Sequence, residues 1–178
     1  MNKLSTISIS ALTALATVAT TAIPALAKSN YSNHVLLGQA VRATGVNYKI
    51  NPVECWEKPG VFGWYWAYKN QFVVCQENKR AVGVEVNWTE EDLDTVRHEA
   101  QHLIQDCMDG ERQGALGSVY KEPIELAKQI LGDRGIRSIL KAYSDASDNT
   151  KVMELEAFSV ATMNQPLEQV KDIRNFCF

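Results

Sequence analysis

The chain has 178 residues, 18 basic and 21 acidic, for a net charge of −3, and 46% of it is hydrophobic. That balance argues against nucleic acid or an anionic membrane surface as a partner, since either calls for a basic face. The length and apolar share suit one domain around one core.

Residues 1–27 read as an export leader. Lys3 is the only charge, residues 4–23 are small and apolar, and Ala25-Leu26-Ala27 gives a small-x-small cleavage pattern. Serines and threonines scattered through the run, and no basic stop after it, argue against a membrane anchor. The expectation is a single domain over 28–178, secreted or periplasmic, monomeric and without stable membrane association. Cys55, Cys75, Cys107 and Cys177 then meet an oxidising compartment, where two disulfides form. Of the three connectivities we expect Cys55–Cys75, closing a β region, and Cys107–Cys177, tying down the C-terminal tail. No pair has the C-x-x-C spacing of a cysteine zinc site.

Tyr31 to Thr44 has helical spacing and stops at Gly45. Val46–Ile50, Tyr65–Tyr68, Gln71–Gln76 and Val82–Val86 are short, β-branched or aromatic, and separated by Asn, Pro, Gly and Lys pairs. They predict a small, mostly antiparallel sheet with a tight hairpin at Lys69-Asn70. The aromatic group Trp56, Trp64, Tyr65, Trp66 and Tyr68 reads as sheet core, with sugar stacking as the functional alternative. Thr89 predicts an N-cap, with Asp92 at the capping-box position. A helix follows from about Glu90 to Met108, with Leu93, Val96, Ala100, Leu103 and Cys107 as its buried stripe. Asn87-Trp88-Thr89 is also a glycosylation sequon, but capping explains Thr89. Further helices are predicted at Pro123–Leu131, Ile136–Tyr143, about Thr150–Met163, and Leu167–Phe176. The fold class is therefore α+β.

Inside the long helix stands His98-Glu99-Ala100-Gln101-His102. Residues four apart share a helix face, so the two imidazoles can hold one zinc ion, with Glu99 beside them to act on a water. A catalytic zinc needs a third protein ligand. The extended H-E-x-x-H-x-x-G-x-x-H pattern is absent, because Gln105 and Met108 occupy its Gly and His positions. His34 is a lone histidine in the first helix, better read as structural. A carboxylate from a later helix remains. Glu154 shares its face with Ala157 and Ala161, small residues that allow close approach. Glu156, the runner-up, shares its face with Val152, Ser159 and Met163. Glu122 and Glu125 read as solvated. Asp94 and Asp106, four residues from the histidines, are candidates to orient them.

These two motifs resemble the gluzincin branch of the zincin metallopeptidases, in compact members built from a helix, a small sheet, the metal helix and a glutamate helix. The resemblance spans about residues 31–165 and implies zinc bound by His98, His102 and Glu154, with Glu99 as general base in peptide-bond hydrolysis. It also implies that an edge strand, in the Phe72–Gln76 or Val82–Val86 region, pairs with a peptide or protein substrate. Tyr120 and Tyr143 are candidates for the oxyanion-stabilising group. Phe158 follows Ala157 where several such families carry Asp or Asn, which leaves Glu154 and Glu156 both open. Two readings from other classes stand beside this one: a secreted zinc protein that hydrolyses nothing, and a glycan- or peptide-binding module with an inactive site.

Overall fold

The computed structural model describes residues 24–108, 110, 112 and 114–178. Most of the predicted leader, residues 1–23, lies outside the described residues. Within them the fold is α+β, with seven α-helices and a three-stranded sheet. The order is α1 (Pro24–Ala43), β1 (Asn47–Ile50), α2 (Glu54–Glu57), β2 (Gly63–Trp66), β3 (Gln71–Val74), α3 (Glu90–Cys107), α4 (Pro123–Ile130), α5 (Gly132–Ala142), α6 (Asp148–Met163) and α7 (Pro166–Phe176). The helix expected from Tyr31 begins at Pro24, and the one expected from Ile136 begins at Gly132.

The sheet departs from expectation in two ways. Its strand order is β1-β3-β2, with β1 parallel and β2 antiparallel to β3. It is therefore mixed rather than mostly antiparallel. The hairpin lies where predicted: β2 and β3 join through a 3-10 turn at Ala67–Lys69 and Asn70, which sits at φ 47°. Asparagine tolerates that left-handed conformation, and its side chain donates to the Gly45 carbonyl at 3.0 Å. Second, Val82–Val86 carries no strand. Asn51 Nδ2 donates to the Val84 carbonyl at 2.8 Å, and the Gln76 amide bonds both the N–H and C=O of Val86 at 2.7 and 2.9 Å. These side chains satisfy backbone groups that a neighbouring strand otherwise would.

The aromatic group divides. Trp64 packs with Val73 and the Cys55–Cys75 pair, and Tyr65 joins the main core. Trp66 is half-buried beneath the Lys69 ammonium, while Trp56 and Tyr68 are exposed. Both expected disulfides are present, Cys55–Cys75 beside β3 and Cys107–Cys177 between the ends of α3 and α7. They suit an oxidising compartment. No helix among the described residues is long and apolar enough to cross a membrane.

Helix α3 is the axis of the fold. Thr89 caps it: its hydroxyl accepts from the Asp92 N–H at 3.2 Å, and the Asp92 carboxylate accepts from the Thr89 N–H at 2.9 Å. Leu93, Val96, Ala100, Leu103 and Cys107 are all buried, as the spacing predicts. The core they enter includes Leu37 and Val41 of α1, Phe72 and Val74 of β3, and Val170 and Ile173 of α7. Each large side chain buried there stabilises the fold by roughly 1.5–3 kcal/mol. From Thr95 onward every residue of α3 is buried, polar ones included, so the helix is enclosed on all sides. Arg97 shows how its polar groups are met. It donates to the Ala161 carbonyl at 2.8 Å and to Asp94 at 2.9 Å, and its Nη1 lies 2.6 Å from His34 Nε2. That joins α1, α3 and α6, and gives His34 the structural role expected of it.

Candidate metal centre

The face of α3 that meets α6 carries His98, Gln101, His102 and Gln105, at i, i+3, i+4 and i+7. Glu154 and Glu156 reach it from α6. His98 Nε2 and His102 Nε2 lie 3.2 Å apart. Glu154 places Oε2 at 3.4 Å from His98 Nε2, and Oε1 at 3.4 Å from His102 Nε2. Ligand atoms around a tetrahedral zinc at its usual bond lengths are about 3.3–3.5 Å apart. The spacing fits such an ion.

The unmet polarity fits it too. Two facing ring nitrogens repel unless a hydrogen on one of them or a cation lies between them. Among the described residues, neither Glu154 oxygen has a hydrogen-bond partner, although the residue is 0% exposed. A buried carboxylate that accepts no hydrogen bond is costly. One cation at the shared point would satisfy all four atoms. The residues present therefore fit a metal ion with two imidazoles and a carboxylate as donors.

In the metal-free protein a proton fills part of that role. Burial works against a charged His102, but the Glu154 carboxylate outweighs it and holds the imidazole up to about 9. Burial likewise pushes Glu154 up, yet the two histidines, His102 foremost, pull it down to about 2. Glu99 moves the other way. Burial raises its carboxyl, and the histidines and one backbone N–H only partly offset the rise.

Strand β2 positions Glu99. The Tyr65 N–H donates to Glu99 Oε2 at 2.6 Å. The Cys75 N–H bonds the Phe62 carbonyl, so β2 exchanges ladder bonds with β3 at alternate residues and turns the Tyr65 N–H outward. Gly63 permits the close approach. A Cβ there would lie 2.6 Å from Thr95 Cγ2 and 2.7 Å from the Val73 carbonyl oxygen. The edge beside Glu99 is thus β2. The Phe72–Gln76 segment expected to form an edge has its strand residues in central β3, because chain order does not determine strand order.

The family model described as a domain of unknown function (DUF8637) matches residues 26–178. The chain belongs to the DUF8637 family. No curated protein and no solved structure matches it.

The remaining predicted residues of this DUF8637 chain fall into place around the cluster. Glu156 is fully buried but away from the metal position. It accepts from Gln101 Nε2 (2.9 Å), Gln105 Nε2 (3.0 Å), the Val119 and Tyr120 N–H groups (3.2 Å each) and the Ser118 hydroxyl. Glu122 and Glu125 are exposed, Glu125 paired with Lys128 at 2.6 Å. Asp94 and Asp106 do not orient the histidines. Asp94 holds Arg97, while Asp106 accepts from the Tyr65 hydroxyl and the Gly114 N–H, each at 2.7 Å. Gln105 Oε1 instead meets His102 Nδ1 at 2.8 Å. Gln101 and Gln105 escaped the sequence reading, though both lie three residues past a motif histidine, a spacing that puts them on the same face. Phe158 packs against the His98 ring, with centroids 4.4 Å apart. Tyr143, just past α5, lies close enough that the Glu154 and Glu99 charges add to burial in raising its hydroxyl. Tyr120 faces Asp172, Glu156 and Glu168 instead.

Proposed function

We propose that this chain is an exported, zinc-dependent metallopeptidase that hydrolyses peptide bonds with Glu99 as general base. The observation that carries the reading is the meeting of two Nε2 atoms and one carboxylate at 3.2–3.4 Å, with Glu99 next to His98 on the same helix. His98, His102 and Glu154 would hold a zinc ion, whose Lewis acidity would serve to polarise a carbonyl oxygen and lower the pKa of water toward neutrality. Glu99 takes the proton from the attacking water and returns it to the leaving amine nitrogen. The Tyr65 N–H holds Glu99 Oε2, which leaves Oε1 for the proton. The raised pKa of Glu99 brings its proton affinity closer to that of a base working near neutral pH. Tyr143, whose hydroxyl feels the Glu154 and Glu99 charges, is our candidate donor to the developing oxyanion.

Burial favours a second reading. His98, Glu99, His102 and Glu154 are each 3% exposed or less, so the cluster offers almost no surface to a peptide. A zinc protein that hydrolyses nothing satisfies the same geometry. Glu99→Gln separates the two. On a broad peptide library the wild type cleaves, and the variant keeps its zinc but loses about 10²–10⁴-fold in rate. Equal silence from both proteins overturns the peptidase reading and leaves the zinc protein.

A further inference from the structure

The two motif histidines are held unequally. Among the described residues, His98 Nδ1 has no hydrogen-bond partner, whereas His102 Nδ1 meets Gln105 Oε1 at 2.8 Å. An amide can be turned end for end, so its orientation has to be argued from its neighbours. Gln105 Nε2 lies 3.0 Å from Glu156 Oε1 and 3.1 Å from the Met153 carbonyl oxygen. A carbonyl only accepts, and Glu156 Oε1 also accepts from Gln101 Nε2 and the Val119 N–H. A turned amide would set its oxygen against two acceptors, so Nε2 faces α6 and Oε1 faces His102. An amide oxygen cannot donate, so His102 Nδ1 must carry the hydrogen. In the neutral ring this leaves the lone pair on Nε2, the atom that faces His98 and Glu154.

We propose that Gln105, held in one orientation by Glu156, is the positioning residue that fixes the His102 tautomer and aims its Nε2 at the metal. This rests on the zinc reading above. It gives the two carboxylates of the Glu154-x-Glu156 pair different work. Glu154 reaches the ion, and Glu156 reaches the amide that holds a ligand. It also gives Gln105 a purpose that its place in the motif does not suggest, since it stands where the extended three-histidine pattern has glycine. Gln101, which donates to the same Glu156 oxygen at 2.9 Å, and the Ser118–Tyr120 segment steady the carboxylate from two further sides. All three side chains of the relay (His102, Gln105 and Glu156) are 1% exposed or less, so no solvent competes for these bonds.

The test measures zinc affinity by competition with a chromophoric chelator, on the full exported chain, with circular dichroism to verify folding. It needs no peptidase activity. Gln105→Leu keeps the apolar bulk and removes the acceptor, and its expected affinity is 10- to 100-fold weaker. Gln105→Met keeps the length of the side chain but offers no amide oxygen to His102 Nδ1. Its affinity is expected to fall likewise, and it carries the test if Gln105→Leu does not fold. Nitrogen-15 spectra of the zinc-loaded wild type should show Nδ1 of His102 protonated and Nε2 metal-bound. Wild-type affinity in Gln105→Leu, or metal on Nδ1, overturns the positioning role while the zinc site stands. Wild-type affinity in Gln105→Met also overturns it, leaving Gln105 a space-filling role. Absence of zinc binding in the wild type overturns the site itself.

Discussion

Gly63 sets how close the sheet comes to the metal cluster. Only a residue without Cβ fits between Thr95 and the Val73 carbonyl, and the fit lets the Tyr65 N–H reach Glu99. Gly63→Ala should push β2 off α3. The expected cost is about 1–3 kcal/mol, as for other overpacked sites, read as a lower urea midpoint at unchanged slope. Zinc binding should survive, because Gly63 touches none of His98, His102 or Glu154; catalytic rate, which needs Glu99 in place, should fall. At this scale the sequence was legible where a motif has a fixed spacing. His98, Glu99 and His102 stand as the helix period puts them. The role of Gln105 was hidden because it depends on an acceptor from another helix, Glu156, and nothing local says which way an amide faces. Asp106 has a spacing just as suggestive, but it was drawn away by Tyr65, whose hydroxyl it accepts across the sheet interface.

Among the elements, α3 was the most readable and the sheet the least. The α3 boundaries follow from a capping box and a buried stripe, both local in sequence. Thr89→Ala removes the acceptor for the Asp92 N–H, and it should lower stability by about 1 kcal/mol in thermal or urea unfolding without loss of zinc. The strand segments were mostly found, but their arrangement was not. A four-residue strand records which face it buries, not which neighbour lies beside it, so the parallel pairing of β1 with β3 left no local trace. Val82–Val86 misled for a related reason. Its alternation is strand-like, yet Asn51 and Gln76 took its backbone bonds, and the segment remained outside the sheet.

For the whole molecule, the His98, His102 and Glu154 cluster should couple folding to protons and, on the zinc reading proposed above, to the metal. His102 is held up to about 9 against an ordinary 6.5, so the folded state binds its proton more tightly than the unfolded chain. That stabilisation is complete below about pH 6.5 and disappears as pH rises through about 9. Glu154 is held down to about 2 against an ordinary 4.5, so its share is present above about pH 4.5 and lost as pH falls toward 2. The two shifts describe one ion pair, on the order of 3 kcal/mol. Metal-free protein should therefore lose stability between about pH 6.5 and 9 in urea unfolding with a chelator present. With zinc the ion replaces the proton, and the alkaline loss should vanish. The third donor of the cluster was half legible. The Glu154-Glu156 segment was recognisable as a glutamate helix, and the face that Glu154 shares with Ala157 and Ala161 favoured it over Glu156; Phe158 after Ala157 kept the second carboxylate open, and the packing of α6 on α3 brings Glu154 to the histidines.

Native mass spectrometry of the purified chain tests the central claim most directly. The account predicts one zinc ion per wild-type chain and none in folded Glu154→Ala. A wild-type chain that takes up no zinc, or a Glu154→Ala chain that binds it as tightly as wild type, would contradict it.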